Sequence, residues 1–187
     1  MKLDEIIRGR RSVRAYEDRP VPEEVVRELI DLGIHAPSAS RMQPWSFVVI
    51  EDKELMREWS DRAKEQLLGQ MEQIPYLKQY QALMENKEFN IFYGAPCLVL
   101  IYGNTVSPSH VNDCTLAAQN IMLAAYEKGL GSCWVGFAMQ TGNAPELKQK
   151  LGVPEKYRLV APLLLGYPRG EWPYVPRNEP IIFSWQK

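Results

Sequence analysis

Between residues 10 and 14 the chain reads Arg-Arg-Ser-Val-Arg, three guanidinium groups and a hydroxyl in one short run. If this run is extended or turn-like, alternate side chains share a face, so that Arg10, Ser12 and Arg14 converge while Arg11 points elsewhere. Two planar forks and a hydroxyl suit a phosphate dianion, because each fork donates two charge-assisted hydrogen bonds at once. The cluster stands out in a chain whose 22 Lys and Arg nearly balance 23 Asp and Glu. That balance leaves no bulk field to draw in nucleic acid or an acidic membrane, so an anion site has to be local. Taken alone, the motif reads equally well as a solvated basic turn.

Other chemistry is thinly represented. The two histidines, His35 and His110, stand in neither a Ser-His-Asp nor a metal-ligand arrangement, so hydrolysis lacks machinery. Cys97, Cys114 and Cys133 are odd in number, lack C-x-x-C spacing and lie in apolar stretches, where free Cys behaves as a small hydrophobe; they suggest a reducing compartment and no metal site. No G-x-G-x-x-G follows a strand, so a Rossmann-bound dinucleotide is not supported. The N-terminus lacks a signal-peptide apolar core, and no apolar run nears the about 20 residues of a membrane span. A cytoplasmic protein with no membrane partner is expected.

Three further motifs follow the first: Ala36-Pro37-Ser38 with Gln43-Pro44-Trp45-Ser46-Phe47, then Gly129-Leu130-Gly131-Ser132-Cys133-Trp134, then Gly166-Tyr167-Pro168. In order and spacing, the four together resemble the nitroreductase family over nearly the whole chain, most weakly between residues 52 and 92. The resemblance implies an α+β fold, a nitroreductase-like three-layer sandwich with a central mixed β-sheet flanked by helices. It implies one FMN-binding domain over residues 1–187, paired as a homodimer with FMN at the interface. It also implies an NAD(P)H-dependent oxidoreductase, in which hydride passes by ping-pong from NADH or NADPH through FMN to a small acceptor such as a nitroaromatic or quinone. Similar proteins carry out reductive dehalogenation, azoline dehydrogenation or flavin fragmentation, and a non-enzymatic flavin- or nucleotide-binding protein is a further alternative.

Through that resemblance, Arg10, Arg11, Ser12 and Arg14 would hold the FMN phosphate, ribityl chain and pyrimidine edge, with Arg14, or else Arg11, on the pyrimidine side. A cation there favours the negatively charged reduced ring. Pro37, Ser38 and Ala39, with Ser40, Arg41 and Gln43 behind them, would approach the same flavin from the other subunit. Arg41 departs from the Asn common at its position. Trp134, Val135 and Gly136 would lay backbone against the ring, an amide of Val135 or Gly136 lying near N5; Gly136 without a function would be a glycine that merely packs closely. Arg177 would return to the phosphate, with Arg169 in reserve. No side chain need act as acid or base, because orientation against the ring supplies most of the rate.

These residues need elements to position them. Asp4 can cap a short helix through Ile6 and Ile7 that gives out at Gly9. Pro22-Glu23-Glu24 opens an amphipathic helix that ends before Pro37. Trp45 to Ile50 alternates as a strand, and Trp45 itself reads as core. Leu55, Met56, Trp59, Ala63 and Leu67 have helical period, whereas the Gln-rich run from 70 to 90 gives no clear pattern. Ala95 to Tyr102 is a doubly buried strand, residues 112–128 a buried helix capped at Gly129, Leu130 to Phe137 a third strand, Asn143 to Leu151 a short helix and Arg158 to Leu165 a fourth strand. From 166 to 187 the prolines at 168, 173, 176 and 180 stiffen an arm that ends in Ile181-Ile182-Phe183-Ser184-Trp185. Such an arm is expected to cross to a partner subunit and add a strand to its sheet.

Overall fold

A computed structural model describes residues 1–172 and 174–187. Its first helix, α1 (Leu3–Gly9), starts one residue after Lys2, so Asp4 is not its cap; Asp4 and Glu5 occupy the first turn, and the Glu5 carboxylate accepts from the Lys2 amide at 2.9 Å. Acids there meet the positive end of the helix dipole. The second helix, α2 (Glu23–Ile34), begins directly after Pro22 and buries Val26, Leu29 and Gly33. Strand β1 spans Trp45–Ile50, and α3 (Lys53–Gln70) is capped by Asp52, whose carboxylate accepts from the amides of Glu54 and Leu55. The run without clear pattern forms a 3-10 turn at Pro75–Tyr80 and a short α4 (Gln81–Glu85). Then come β2 (Cys97–Asn104), α5 (His110–Glu127), β3 (Gly131–Trp134), a 3-10 turn at Gly136–Ala138, α6 (Met139–Gly142), α7 (Pro145–Lys150) and β4 (Tyr157–Gly166). The third strand is thus shorter than expected, because the chain turns helical at Gly136; the short helix expected over Asn143 to Leu151 is α7, and α6 precedes it as an additional turn.

The strands lie in the order β1-β2-β4-β3 and every pair is antiparallel. The mixed sheet expected above is therefore corrected to an antiparallel one in this chain. Its parallel component is a single bridge between Ser12 and Ser132, where the arginine run follows the edge strand β3 too briefly to count as a strand. Alternation along β2 sends Leu98, Leu100 and Tyr102 into one core with Trp59 and Phe92, and Cys97, Val99 and Ile101 into another with Leu29 and Ile121. Helix α3 covers the first face and α2 with α5 the second, which makes the three layers. At Gly33 a Cβ would lie 2.7 Å from Ile121, so the glycine permits the close α2–α5 approach. Each large side chain fully buried here contributes about 1.5–3 kcal/mol.

All three cysteines are buried and unpaired, and burial pushes the Cys97 and Cys114 thiols up to about 12. They pack and do not react. Among the described residues no acid, histidine and cysteine cluster could hold a metal, and no helix is long and apolar enough to cross a membrane. The arm after Gly166 has no strand among its described residues, and its tip is bare, with Phe183 at 97% exposure. Pro173, one of the stiffening prolines, lies outside the described residues.

Candidate functional site

The arginine run leaves α1 at Arg10 and becomes extended, fixed by the Val13 amide on the Ser132 carbonyl at 2.9 Å and by the Tyr16 hydroxyl on the Val13 carbonyl at 2.8 Å. Val13 is buried, so tightly against Gly131 that a Cβ there would come within 2.6 Å of it. Parity then turns Ser12 and Arg14 outward. Arg10, Arg11, Ser12, Arg14 and Arg177 line one cavity of about 420 Å³ together with Trp172 and Val175. Arg11 was expected to face away; its guanidinium instead curls back onto the end of α1, donating to the carbonyls of Arg8 and Arg10, and lies 5.3 Å from the Tyr174 ring centre.

Burial first, then the charges of Arg177 and Arg11, lower the Arg10 guanidinium from its usual value. Among the described residues no carboxylate pairs with Arg10, Arg14 or Arg177. Like charges gathered without an anion of their own form a cradle for a foreign one. Two buried polar atoms beside it, Ser132 Oγ and Trp172 Nε1, have no hydrogen-bond partner among the described residues, and both residues line a cavity of about 380 Å³ that shares Arg10 and Arg11. Arg169, held in reserve, does not line the cradle; Arg177 does.

Arg14 also lines a second pocket, of about 400 Å³, with Trp134, Val135 and Gly136 at its base and Leu67, Tyr76, Tyr80, Tyr93 and Phe137 around it. Burial raises the Tyr93 phenol from its usual value, and Arg14 opposes this by charge and hydrogen bonding. Of the two amides considered, that of Val135 donates to the Pro162 carbonyl at 2.9 Å and is consumed by the sheet. The Gly136 amide, first in its 3-10 turn, has no acceptor among the described residues. Nor does Gly136 pack closely: a Cβ there meets nothing within 4 Å, and its φ is not in the left-handed region. Trp134 is half-buried, lining this pocket and packing on the second core.

Pro37, Ser38, Ala39, Ser40, Arg41 and Gln43 line neither cavity, so one chain does not bring them to the arginines. They form a separate, largely exposed loop in which Ser40, Arg41 and Gln43 all have positive φ, at 51°, 58° and 44°. The loop is tied down by Asp113, a buried carboxylate on α5 whose oxygens lie 3.2 and 3.3 Å from the Ala39 amide, and by the Gln43 amide on Ser38 Oγ.

Sequence reasoning missed the aromatic wall. Tyr76 and Tyr80 stand four residues apart in the 3-10 turn that Pro75 opens, their hydroxyls 3.1 Å apart, and Tyr80 meets Phe137 edge-on with centroids 5.1 Å apart. The spacing Pro75-Tyr76-x-x-x-Tyr80 was the available signal. Trp172 and Val175, inside the arm, carried none.

The family model described as "Nitroreductase family" matches residues 7–167. A protein of Archaeoglobus fulgidus provisionally named NADH dehydrogenase/NAD(P)H nitroreductase is 31% identical, over 89% of this chain and 85% of its own. An iodotyrosine deiodinase of Thermotoga neapolitana is 27% identical over 96% of each chain. The crystal structure of a nitroreductase with bound FMN from Desulfitobacterium hafniense superposes with TM-score 0.81 at 28% identity, covering 98% of this chain and 99% of that one.

Proposed function

We propose that this chain, which belongs to the nitroreductase family, is an FMN-dependent oxidoreductase that works as a homodimer of one-domain subunits. When bound, FMN would take hydride from NADH or NADPH and pass it, in a ping-pong sequence, to a small acceptor such as a nitroaromatic or quinone. The observation that carries this reading is the continuity of two cavities through Arg14, with Arg10, Arg14 and Arg177, which no carboxylate pairs among the described residues, at one end and the Gly136 amide at the other. The orphaned Ser132 hydroxyl and Trp172 indole fit the same group, since a buried polar atom without a partner costs about 1–3 kcal/mol.

In this reading Arg10, Ser12 and Arg177 hold the phosphate, with Arg11 at the rim, and Arg14 supplies positive charge at the pyrimidine edge. Gly136 offers its amide to the reactive side of the ring. Pro37, Ser38, Ala39, Ser40, Arg41 and Gln43 come from the second copy, which explains why they stand apart within one chain. Among the described residues the pocket is lined by no carboxylate, histidine or lysine, and in this reading its residues orient and exclude water. Arg14 is the one charged residue lining the aromatic pocket, which favours a planar acceptor. A zwitterionic amino acid would also need an anionic partner, and no carboxylate is in this lining among the described residues.

The test is the visible spectrum of the pure protein before and after anaerobic addition of each nicotinamide. A bound-flavin band that bleaches is expected. Absence of the band after loading with FMN would overturn the cofactor assignment, and a band that neither nucleotide bleaches would overturn the donor.

A further inference from the structure

A third cavity, of about 380 Å³, lies beyond Arg14 and is lined by Lys53, Arg57, Arg169, Asp18 and Tyr93 as well as by Arg14 itself. Its charge is lopsided. Lys53 is paired with Asp18, whose carboxyl is held below its usual value first by that hydrogen bond and by the charges of Lys53 and Arg169. Arg57 and Arg169 take no carboxylate among the described residues. The placement is built from two sides. Lys53 and Arg57 sit four apart in the first turns of α3 and so share a face. Arg169 is fixed by its own amide on the Ala15 carbonyl at 3.0 Å. Tyr93 and Gly94, at φ 53° and 69°, turn the chain sharply to close the remaining wall.

Arg14 and Tyr93 line both this cavity and the aromatic pocket over Gly136. A planar ring entering that pocket with an anionic tail would therefore meet the guanidinium groups of Arg57 and Arg169 next door, neither of them in an ion pair among the described residues. Of the two nicotinamide dinucleotides, only one carries a phosphomonoester, at its 2′ oxygen, and such a group holds nearly two negative charges at neutral pH. Nothing else distinguishes the pair, so discrimination between them requires cations placed off the reacting ring, and guanidinium forks match phosphate best.

We propose that the cavity between Arg57 and Arg169 binds the 2′-phosphate of NADPH and makes NADPH the preferred donor; this rests on the nicotinamide-dependent reading above. The cavity is open, so the preference shrinks as salt is raised.

The experiment compares kcat/KM for NADPH and NADH in the FMN-loaded dimer with one acceptor, for the natural chain and for Arg57→Ala, Arg57→Glu and Arg57→Lys. The natural chain prefers NADPH. Arg57→Ala lowers the NADPH-to-NADH ratio about tenfold, as expected for one charged hydrogen bond. Arg57→Glu lowers it further, and Arg57→Lys restores part of it. Flavin content measured on each variant guards against misfolding. In a second arm, adenosine 2′,5′-bisphosphate inhibits the natural chain more strongly than AMP, and the difference vanishes in Arg57→Glu. A natural preference for NADH, or a ratio that Arg57→Glu leaves unchanged, overturns the proposal. Inorganic phosphate that raises the melting temperature of the natural chain but not of Arg57→Glu, with the donor ratio unmoved, reassigns the cavity to a free phosphate and equally overturns it. These failures differ from failure of the flavoenzyme reading, in which neither nucleotide bleaches the protein.

Discussion

A glycine with open space around it and an ordinary φ has no reason in the protein's own packing to be glycine. Gly136 is such a residue, in contrast to Gly131, where Val13 fills the space a Cβ would need. The two support opposite predictions from the same substitution class. Gly136→Ala should fold with stability within about 0.5 kcal/mol of the natural chain, because the added Cβ meets nothing within 4 Å, yet retain FMN poorly. Arg10→Ala and Arg14→Ala should likewise leave the fold intact while weakening FMN retention, measured by fluorescence of released flavin on dilution. Retention unchanged in both arginine variants would discard the proposed grip. The convergence of Arg10, Ser12 and Arg14 on one cavity was legible because alternation in an extended run follows from geometry, whereas a flavin role for them came only through the family resemblance. The choice of Gly136 over Val135 was not, since it depends on the Val135 amide being taken by Pro162, a partner from a distant strand. Arg11 also escaped, because its reach back to the carbonyls of α1 bypasses the parity of the backbone.

At the scale of elements, the loop from Ser38 to Gln43 holds three non-glycine residues in left-handed conformation, each costing about 1–3 kcal/mol that its surroundings must offset. Asp113, reaching from α5 to the Ala39 amide, is the visible constraint. Asp113→Ala should leave that amide without an acceptor and destabilise the protein by about 1–3 kcal/mol in urea unfolding, with faster amide exchange confined to residues 38–43. Asp113→Asn keeps an acceptor oxygen and should recover most of the loss; equal exchange in all three proteins would sink the idea. None of this strain was readable, because Ser, Arg and Gln give no signal for positive φ. The helices were more legible. Pro22 with two acids marked the start of α2, and the apolar period marked α3 and α5, whereas Pro75 to Glu85 was obscured by a 3-10 turn whose period fits neither template. The mixed sheet was misjudged for a related reason: only pairing in space separates a strand from a single parallel bridge.

For the whole molecule, the homodimer reading calls for apolar surface that a second copy could cover, and the arm and three helices carry some. Ile181, Ile182, Phe183 and Trp185 are all exposed on the arm, and Leu3, Ile7, Leu32, Ile34 and Leu116 are exposed on α1, α2 and α5. Burying four large apolar side chains contributes about 6–12 kcal/mol as an upper bound. A symmetric pair buries two such arms, about 12–24 kcal/mol on the same scale, against an association cost of about 4–15 kcal/mol, so the arms would carry much of the pairing. Removing residues 178–187 should therefore spare the fold and Arg177 but weaken association by several powers of ten, giving a monomer at micromolar concentration in sedimentation. Because the Pro37 to Gln43 loop would then have no opposite subunit to serve, the truncated chain should also lose FMN, even though every arginine of the grip is still present. A truncated protein that stays dimeric and holds its flavin would separate the arm from the site. Loss of flavin from a species that stays dimeric would instead assign the arm to the cofactor and leave the helical faces to hold the subunits together.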